Sequence, residues 1–452
     1  MTSHEFHRDT ARSLVLLAIP IICQNLITYG VSLADKLMVG RLGEAAINGL
    51  FMASIVQLVL QMVLWGIDSA MAVLTAQYWG RRDTERIKSV IAICLRAMLG
   101  VGLVAAAATS ALPQTILSFL TSSPEAAAEG ARYLRVVSPS FVLFPASMLL
   151  VSAMRSVEVV RIGLVNSIVA LVLNVALNWC LIYGHCGLPA LGVAGAAWAT
   201  DISRLVELGV VFLFVLKFDD RLRIRLRDIL RRDADLSRDL VHYGTPLMLG
   251  QIVWAVNKFT MRWIVGHFTP ASSAAVSISE DLDGLLWVGT VGLASAMGIL
   301  TGKMIGRGTD LPLLKSYARR MQVVFAAIGV LSFAVVHLVG DLFISIYNLT
   351  PETVAAAKTF LLVLAFSVLG RSYQAPCLMG LVKAGGSTSF VFQNDTFWVF
   401  CWVLPSALIA RYVFEAPDWV VYACLLSDQV TKCFVAFVKI NRFHWMKNLT
   451  RA

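Results

Sequence analysis

The chain has 452 residues, of which 58% are hydrophobic and 15% charged, and its 38 basic and 28 acidic residues give a formal net charge of +10. Average soluble domains run nearer about 45–50% apolar and about 25% charged. A water-soluble enzyme, a disordered chain and a small disulfide scaffold are excluded, because each needs far more polar surface or far more cysteine than this.

Crossing a hydrocarbon core of about 30 Å takes roughly 20 apolar residues of helix. Twelve stretches meet that length: 14–39, 47–77, 89–112, 133–154, 163–183, 193–216, 243–265, 276–302, 321–339, 360–381, 389–409 and 420–438. Helix is the economical form for them, since backbone polar groups in lipid must be satisfied within the segment. The alternating segments of about ten residues that mark a membrane β-barrel are missing. The expected fold class is therefore an all-α polytopic membrane protein with twelve transmembrane helices. The first span, about 26 residues long, exceeds the apolar core of a cleaved leader and is expected to be retained.

Orientation follows from lysine and arginine. With the N-terminus inside, the inner segments hold 26 basic residues, and the outer loops hold four: Arg41, Arg132, Lys358 and Arg411. Both termini are expected to be cytoplasmic, in a plasma membrane (the inner membrane of a bacterium). The positive charge is then a topology signal, and no nucleic-acid partner is expected. Eight cysteines form no CxxC pair, and all but Cys186 fall within spans. The histidines are scattered over tails and loop edges, so no metal site is expected beyond a transported Na⁺.

Residues 66–81, GIDSAMAVLTAQYWGR, align without a gap to residues 292–307, GLASAMGILTGKMIGR, with eight identities in sixteen positions. The same offset of 226 residues pairs Pro20 with Pro246 and Val39-Gly40 with Val265-Gly266. The chain thus reads as an N-terminal six-helix lobe (1–216), a basic cytoplasmic linker (217–242) and a C-terminal six-helix lobe (243–452). Six spans is an even number, so the two pseudo-symmetric lobes share one orientation, as parallel repeats do in secondary transporters. A cleft between two such bundles suits alternating access.

No Walker A sequence is present; Gly298-Ile-Leu-Thr-Gly302-Lys303-Met304 has the wrong spacing. HExxH and GxSxG are also missing, so the chain is not expected to be an enzyme and an ion gradient is the remaining motor. Moving one charge across 100 mV is worth about 2.3 kcal/mol, or a gradient of roughly fifty-fold. Coupling needs intramembrane groups that hold H⁺ or Na⁺ in one state and release it in another. Asp35 in span 1 is the first candidate; the alternative is an acid solvated by headgroup water. Asn174 and Asn178 share a face of span 5, where their oxygens could ligate Na⁺ or bond a protonated acid, or could equally join helices. Asp395 in span 11 is the strongest acid candidate of the second half. Asp283 opens span 8, with an interfacial position at least as good a reading. Asp201, Arg204 and Glu207 in span 6 have the spacing of an ion-pair ladder. Trp65, Trp254, Trp287 and Met297 have the depth to line a cleft between the lobes, although lipid-facing or core packing is the commoner fate.

Taken together, Pro20 to Asn25, Asp35-Lys-Leu-Met-Val-Gly-Arg-Leu-Gly43, Ala76-Gln77, Asn174-x3-Asn178, Leu191-Gly-Val-Ala-Gly-Ala-Ala197 and Lys383-Ala-Gly-Gly-Ser-Thr388 resemble the multidrug and toxic compound extrusion (MATE) family. The resemblance implies a twelve-helix, two-lobed antiporter that exports organic cations and amphipathic drugs in exchange for H⁺ or Na⁺. It also implies small-molecule drug substrates, no cofactor and a monomer in the bilayer. Asp35 matches the family's span-1 acid. One branch carries an Asp where this chain has Asn178, and another a Glu in span 7, where residues 243–265 hold no acid. The alternatives are a lipid-linked oligosaccharide flippase of the same superfamily and an intramembrane enzyme.

Overall fold

The computed structural model describes residues 3–121, 123–347 and 349–451. Among these, all regular structure is helical. The first half runs through α1 (Ser3–Val39), α2 (Glu44–Gly80), α3 (Thr84–Ala111), the short α4 (Pro113–Ser118), α5 (Pro124–Val137), α6 (Ser140–Ser156), α7 (Arg161–Tyr183) and α8 (Val193–Lys217). The second half comprises α9 (Ala234–Val265), α10 (Pro270–Gly306), α11 (Leu311–Ser345), α12 (Pro351–Ala375), α13 (Thr388–Phe397), α14 (Leu404–Tyr412), α15 (Asp418–Leu425) and α16 (Asp428–Arg442).

Among the described residues, eight helical segments combine the length and apolar composition needed to cross a bilayer, and the bent pair α5–α6 makes a ninth. Three more complete the twelve. In α8 the apolar run is diluted by Asp201, Arg204 and Glu207, and in α9 by Lys258 and Arg262. The third, α13–α14, is interrupted by a widened stretch at Trp398–Val403. A similar stretch, Pro376–Val382, extends α12. Both adjoin a proline, Pro376 or Pro405, whose missing N–H leaves a carbonyl one turn back to be satisfied by a longer-range bond.

The fourth span departs from a single straight helix. It bends by 55° between α5 and α6, at Ser138-Pro139. The N–H of Ser140, freed at the break, donates to the Asp201 carboxylate at 3.1 Å. The buried Asp201 is therefore a cap for α6, and the expected three-residue ladder on α8 reduces to Arg204–Glu207 at 2.6 Å.

Helix boundaries repeat with the sequence. α1 and α9 end at Val39 and Val265, and α2 and α10 are both 37 residues long, ending at Gly80 and Gly306. Each of these boundaries recurs at the 226-residue offset of the sequence repeat. The compact units are not cut quite where the repeat is cut: one comprises Cys23–Gly244, the other Met1–Ile22 with Thr245–Ala452. The division falls inside α1 and α9, within three residues of the equivalent Pro20 and Pro246. Ile22 belongs with the second unit through α10, where a Cβ on Gly292 would come within 2.5 Å of its side chain.

The segment 217–242 packs with the first unit. Asp219 accepts from the N–H groups of Leu222 and Arg223 at 2.9 and 3.2 Å, folding the chain back after α8. A 3₁₀ turn at Leu226–Leu230 then docks on α3, where Arg96 donates to the Ile229 carbonyl at 2.5 Å. Arg231 bridges Asp228 at 2.9 Å and Glu85 at 2.6 Å. Asp228 is buried and accepts from the Arg225 N–H at 2.9 Å. Burial pushes its carboxyl up, but the Arg225 N–H, Arg231 and Lys88 outweigh that and hold it below the usual carboxylate range.

That shift has a pH signature. A carboxyl depressed on folding stabilises its surroundings fully above the unfolded value of about 3.9, and loses that contribution as pH falls through the lower folded value. Hydrogen exchange, corrected for intrinsic rates, is expected to keep residues 225–231 protected from neutral pH down to about 4 and to show them opening below it. Asp228→Asn should remove the pH dependence of this opening. Protection independent of pH in the parent protein would contradict the assignment.

Candidate functional site

In the Cys23–Gly244 unit, α1 and α7 bring together three of the residues singled out from sequence. Asn174 and Asn178 lie one turn apart on α7 and are almost wholly buried, at 3% and 0% exposure. The Asn178 amide nitrogen donates to Asp35 Oδ1 at 2.5 Å and to Asn174 Oδ1 at 3.1 Å. One end of α7 is tied to α1 again by the Tyr183 hydroxyl, which donates to the Met38 carbonyl at 2.7 Å. Asp35 is therefore held at a fixed height against the amide pair.

The charge around Asp35 is sparse. Among the described residues it has no ion-pair partner. Arg204 is the cation whose field reaches it, yet that guanidinium is committed to Glu207 and lies over the Phe144 ring at 4.5 Å. Asn178 Oδ1 is buried with no hydrogen-bond partner. The cluster thus offers one carboxylate and a free amide oxygen in a low-dielectric setting. Such a group can take up a proton, which the free oxygen accepts as a hydrogen bond, or a small hard cation. Nearby, Tyr133 accepts at 3.5 Å from Gln57, and its hydroxyl also meets Thr200. Tyr133, Gln57 and Thr200 were not legible as site residues, since a lone polar side chain in an apolar span carries no partner information.

A second buried polar group in this unit is built on Arg155, which donates to Gln24 Oε1 at 3.1 Å and lies in the field of Asp68. Gly163 is required beside it, because a Cβ there would come within 2.5 Å of Gln24 Oε1.

The other unit is arranged differently. Asp395 is not joined to an amide pair. Its Oδ1 is 3.0 Å from Lys432 Nζ, and the same ammonium lies 2.9 Å from Asp428 Oδ2. Gln429 donates to Asp428 at 3.0 Å, and Gln374 to Gln429 at 3.0 Å. Asp283 pairs with Arg371 at 2.5 Å, and that guanidinium covers the Trp287 ring at 5.3 Å. Both candidate acids of the second half therefore have a lysine or arginine counter-charge. Lys432 was the missed residue; its position four after Asp428 in an apolar span is the signal that finds it. Of the apolar candidates, Met297 is buried and takes a contact from the Tyr317 hydroxyl at 3.5 Å, as core residues do. Trp65 is 36% exposed.

Two units built from twelve helical spans, with a part-buried acid in one of them that has no ion-pair partner among the described residues, define a polytopic membrane transporter by architecture. The MatE family profile matches residues 20–180 and 246–393, so the chain belongs to that family. A probable multidrug resistance protein NorM of Streptococcus pneumoniae R6 is 25% identical over 376 residues, covering 82% of each chain. The probable multidrug resistance protein YoeA of Bacillus subtilis 168 is 24% identical over 361 residues, covering 79% of this chain and 78% of its own. A MOP superfamily transporter from Pyrococcus furiosus superposes with a TM-score of 0.86 at 17% identity, covering 98% of this chain and 97% of its own. The eukaryotic MATE transporter AtDTX14 superposes with a TM-score of 0.82 at 17% identity, covering 98% of each chain.

Proposed function

We propose that the protein is a secondary active multidrug efflux transporter, exporting organic cations and amphipathic drugs in exchange for H⁺ or Na⁺. The carrying observation is the Asp35–Asn178–Asn174 cluster, an intramembrane carboxylate whose hydrogen-bond partner is neutral. Such an acid is costly to keep charged in a membrane interior, so it binds a compensating cation and releases it where water enters. The relatives named as multidrug resistance proteins support small-molecule drugs as the cargo. In this reading Asn174 and Asn178 position Asp35 and supply oxygens, whereas Asp395 serves an ion pair with Lys432 and carries no coupling ion. The working form is a monomer in the inner membrane, with both termini cytoplasmic and no cofactor beyond the exchanged ion.

The test is export of a fluorescent cationic dye from proteoliposomes under separately imposed pH and Na⁺ gradients. Export is expected to follow one of the two gradients and to stop when that gradient is collapsed. Export indifferent to both would overturn ion coupling.

A further inference from the structure

We propose that Cys180 and Cys186 form an intraloop disulfide on the extracytoplasmic side, an oxidation site at the end of α7. The two Sγ atoms are 3.6 Å apart, the only thiol–thiol contact among the described residues. Cys186 is exposed and Cys180 half-buried, so an oxidant can reach the first and the second can follow. The placement rests on the orientation proposed above, which puts the loop after α7 outside, where disulfides form and persist.

The backbone brings the thiols together. α7 ends in a left-handed Gly184, φ +76°, and the N–H groups of Gly184 and His185 both donate to the Cys180 carbonyl at 3.0 Å. Cys186 itself has φ +57°, a left-handed conformation uncommon for a residue with a Cβ. These two reversals turn the chain back over the last turn of the helix. His185 is fixed in the process, stacked on Trp179 with ring centroids 4.1 Å apart and its Nδ1 3.1 Å from the Trp179 carbonyl. The far end of the loop is also tied down, with Leu191 and Gly192 donating to the Leu181 and Ile182 carbonyls at 2.9 and 3.3 Å. Held at both ends, the loop keeps the thiols in contact and cannot easily part them.

The reaction is thiol–disulfide exchange with a protein or small-molecule disulfide. The Cys186 thiolate attacks one sulfur of the oxidant, forming a mixed disulfide and expelling the oxidant's first thiolate. The Cys180 thiolate then attacks Cys186 Sγ and expels the second. Two electrons pass to the oxidant, which becomes a dithiol, and the two protons lost by the cysteines are matched by the two it takes up. The product staples the turn that follows directly on the helix carrying Asn174 and Asn178.

The experiment uses the full-length protein in membranes of hosts with and without an extracytoplasmic dithiol oxidase. Thiols are quenched with N-ethylmaleimide before tryptic digestion. The peptide 162–204 contains Cys180 and Cys186 and no other cysteine. From the competent host it is expected two hydrogens lighter than its reduced form and free of maleimide, and to take two maleimides only after reduction. A Cys186→Ser variant should lose that mass difference. From the host without the oxidase the peptide should take two maleimides, and on intact cells a membrane-impermeant maleimide should label Cys186. Two maleimides on protein from the competent host, with Cys186 open to the impermeant reagent, would overturn the pairing. If the impermeant reagent fails while oxidised glutathione closes the bond in detergent, the orientation is wrong and oxidation in the cell falls with it.

Discussion

Asp35→Asn is expected to abolish gradient-driven export while leaving the protein in the membrane at its normal level. The substitution keeps the shape and the contact with Asn178, whose nitrogen now donates at 2.5 Å to Asp35 Oδ1. It removes the charge and the titrating proton together. A gradient of 100 mV per exchanged charge supports roughly fifty-fold accumulation, and the variant should bring that ratio close to one. Folding should not suffer, because an amide in a buried site without a counter-cation is cheaper to bury than a carboxylate. Dye binding in detergent separates coupling from cargo recognition, and is expected to persist in the variant. Wild-type export by Asp35→Asn would remove this residue from the mechanism. A loss of membrane insertion would instead make its role structural.

Asp35 and the Asn174–Asn178 pair were each legible as candidates because both signals are local: an acid in an apolar run, and two amides four residues apart on one helical face. Where the carboxylate would find its partner was not, since residues 35 and 178 are 143 positions apart. The twelve spans were legible as spans, because length and apolar content are summed over 20 or more residues and single errors average out. Their ends were not, since α1, α9, α11 and α12 begin nine to eleven residues before the apolar runs at 14, 243, 321 and 360. The repeat carried further, since α2 and α10 end at Gly80 and Gly306, a pair within the aligned segments. What the sequence could not show was the break in the fourth span. Ser138-Pro139 marks a weak point, but the bend depends on Asp201 from α8 receiving the freed Ser140 N–H. Likewise, residues 217–242 read as a basic cytoplasmic linker, whereas Arg231 of the linker and Arg96 of α3 close it over that helix. Charge counts give the side of the membrane; they do not give partners.

Lys432→Met tests the opposite electrostatic design and should be the most destabilising single change in the second unit. The ammonium is 8% exposed and sits between two carboxylates, one of which, Asp428, is 5% exposed. Removing it leaves Asp428 buried without a counter-charge, which typically costs about 3–5 kcal/mol. Asp395, whose side chain is 38% exposed, can recover part of its solvation, so Asp395→Asn should cost far less and leave gradient-driven export intact. The double variant Lys432→Met/Asp428→Asn should regain most of the lost stability, because exchanging a whole buried ion pair for neutral groups is often close to neutral. Gln429 would still have an oxygen at position 428 to donate to. Thermal unfolding in detergent, compared across the three variants, reads this order directly. If Lys432→Met melts with the parent protein, the triad is not what holds α13 to α16. If Asp395→Asn stops export instead, the coupling ion is bound in this unit and the division of labour between Asp35 and Asp395 must be reversed.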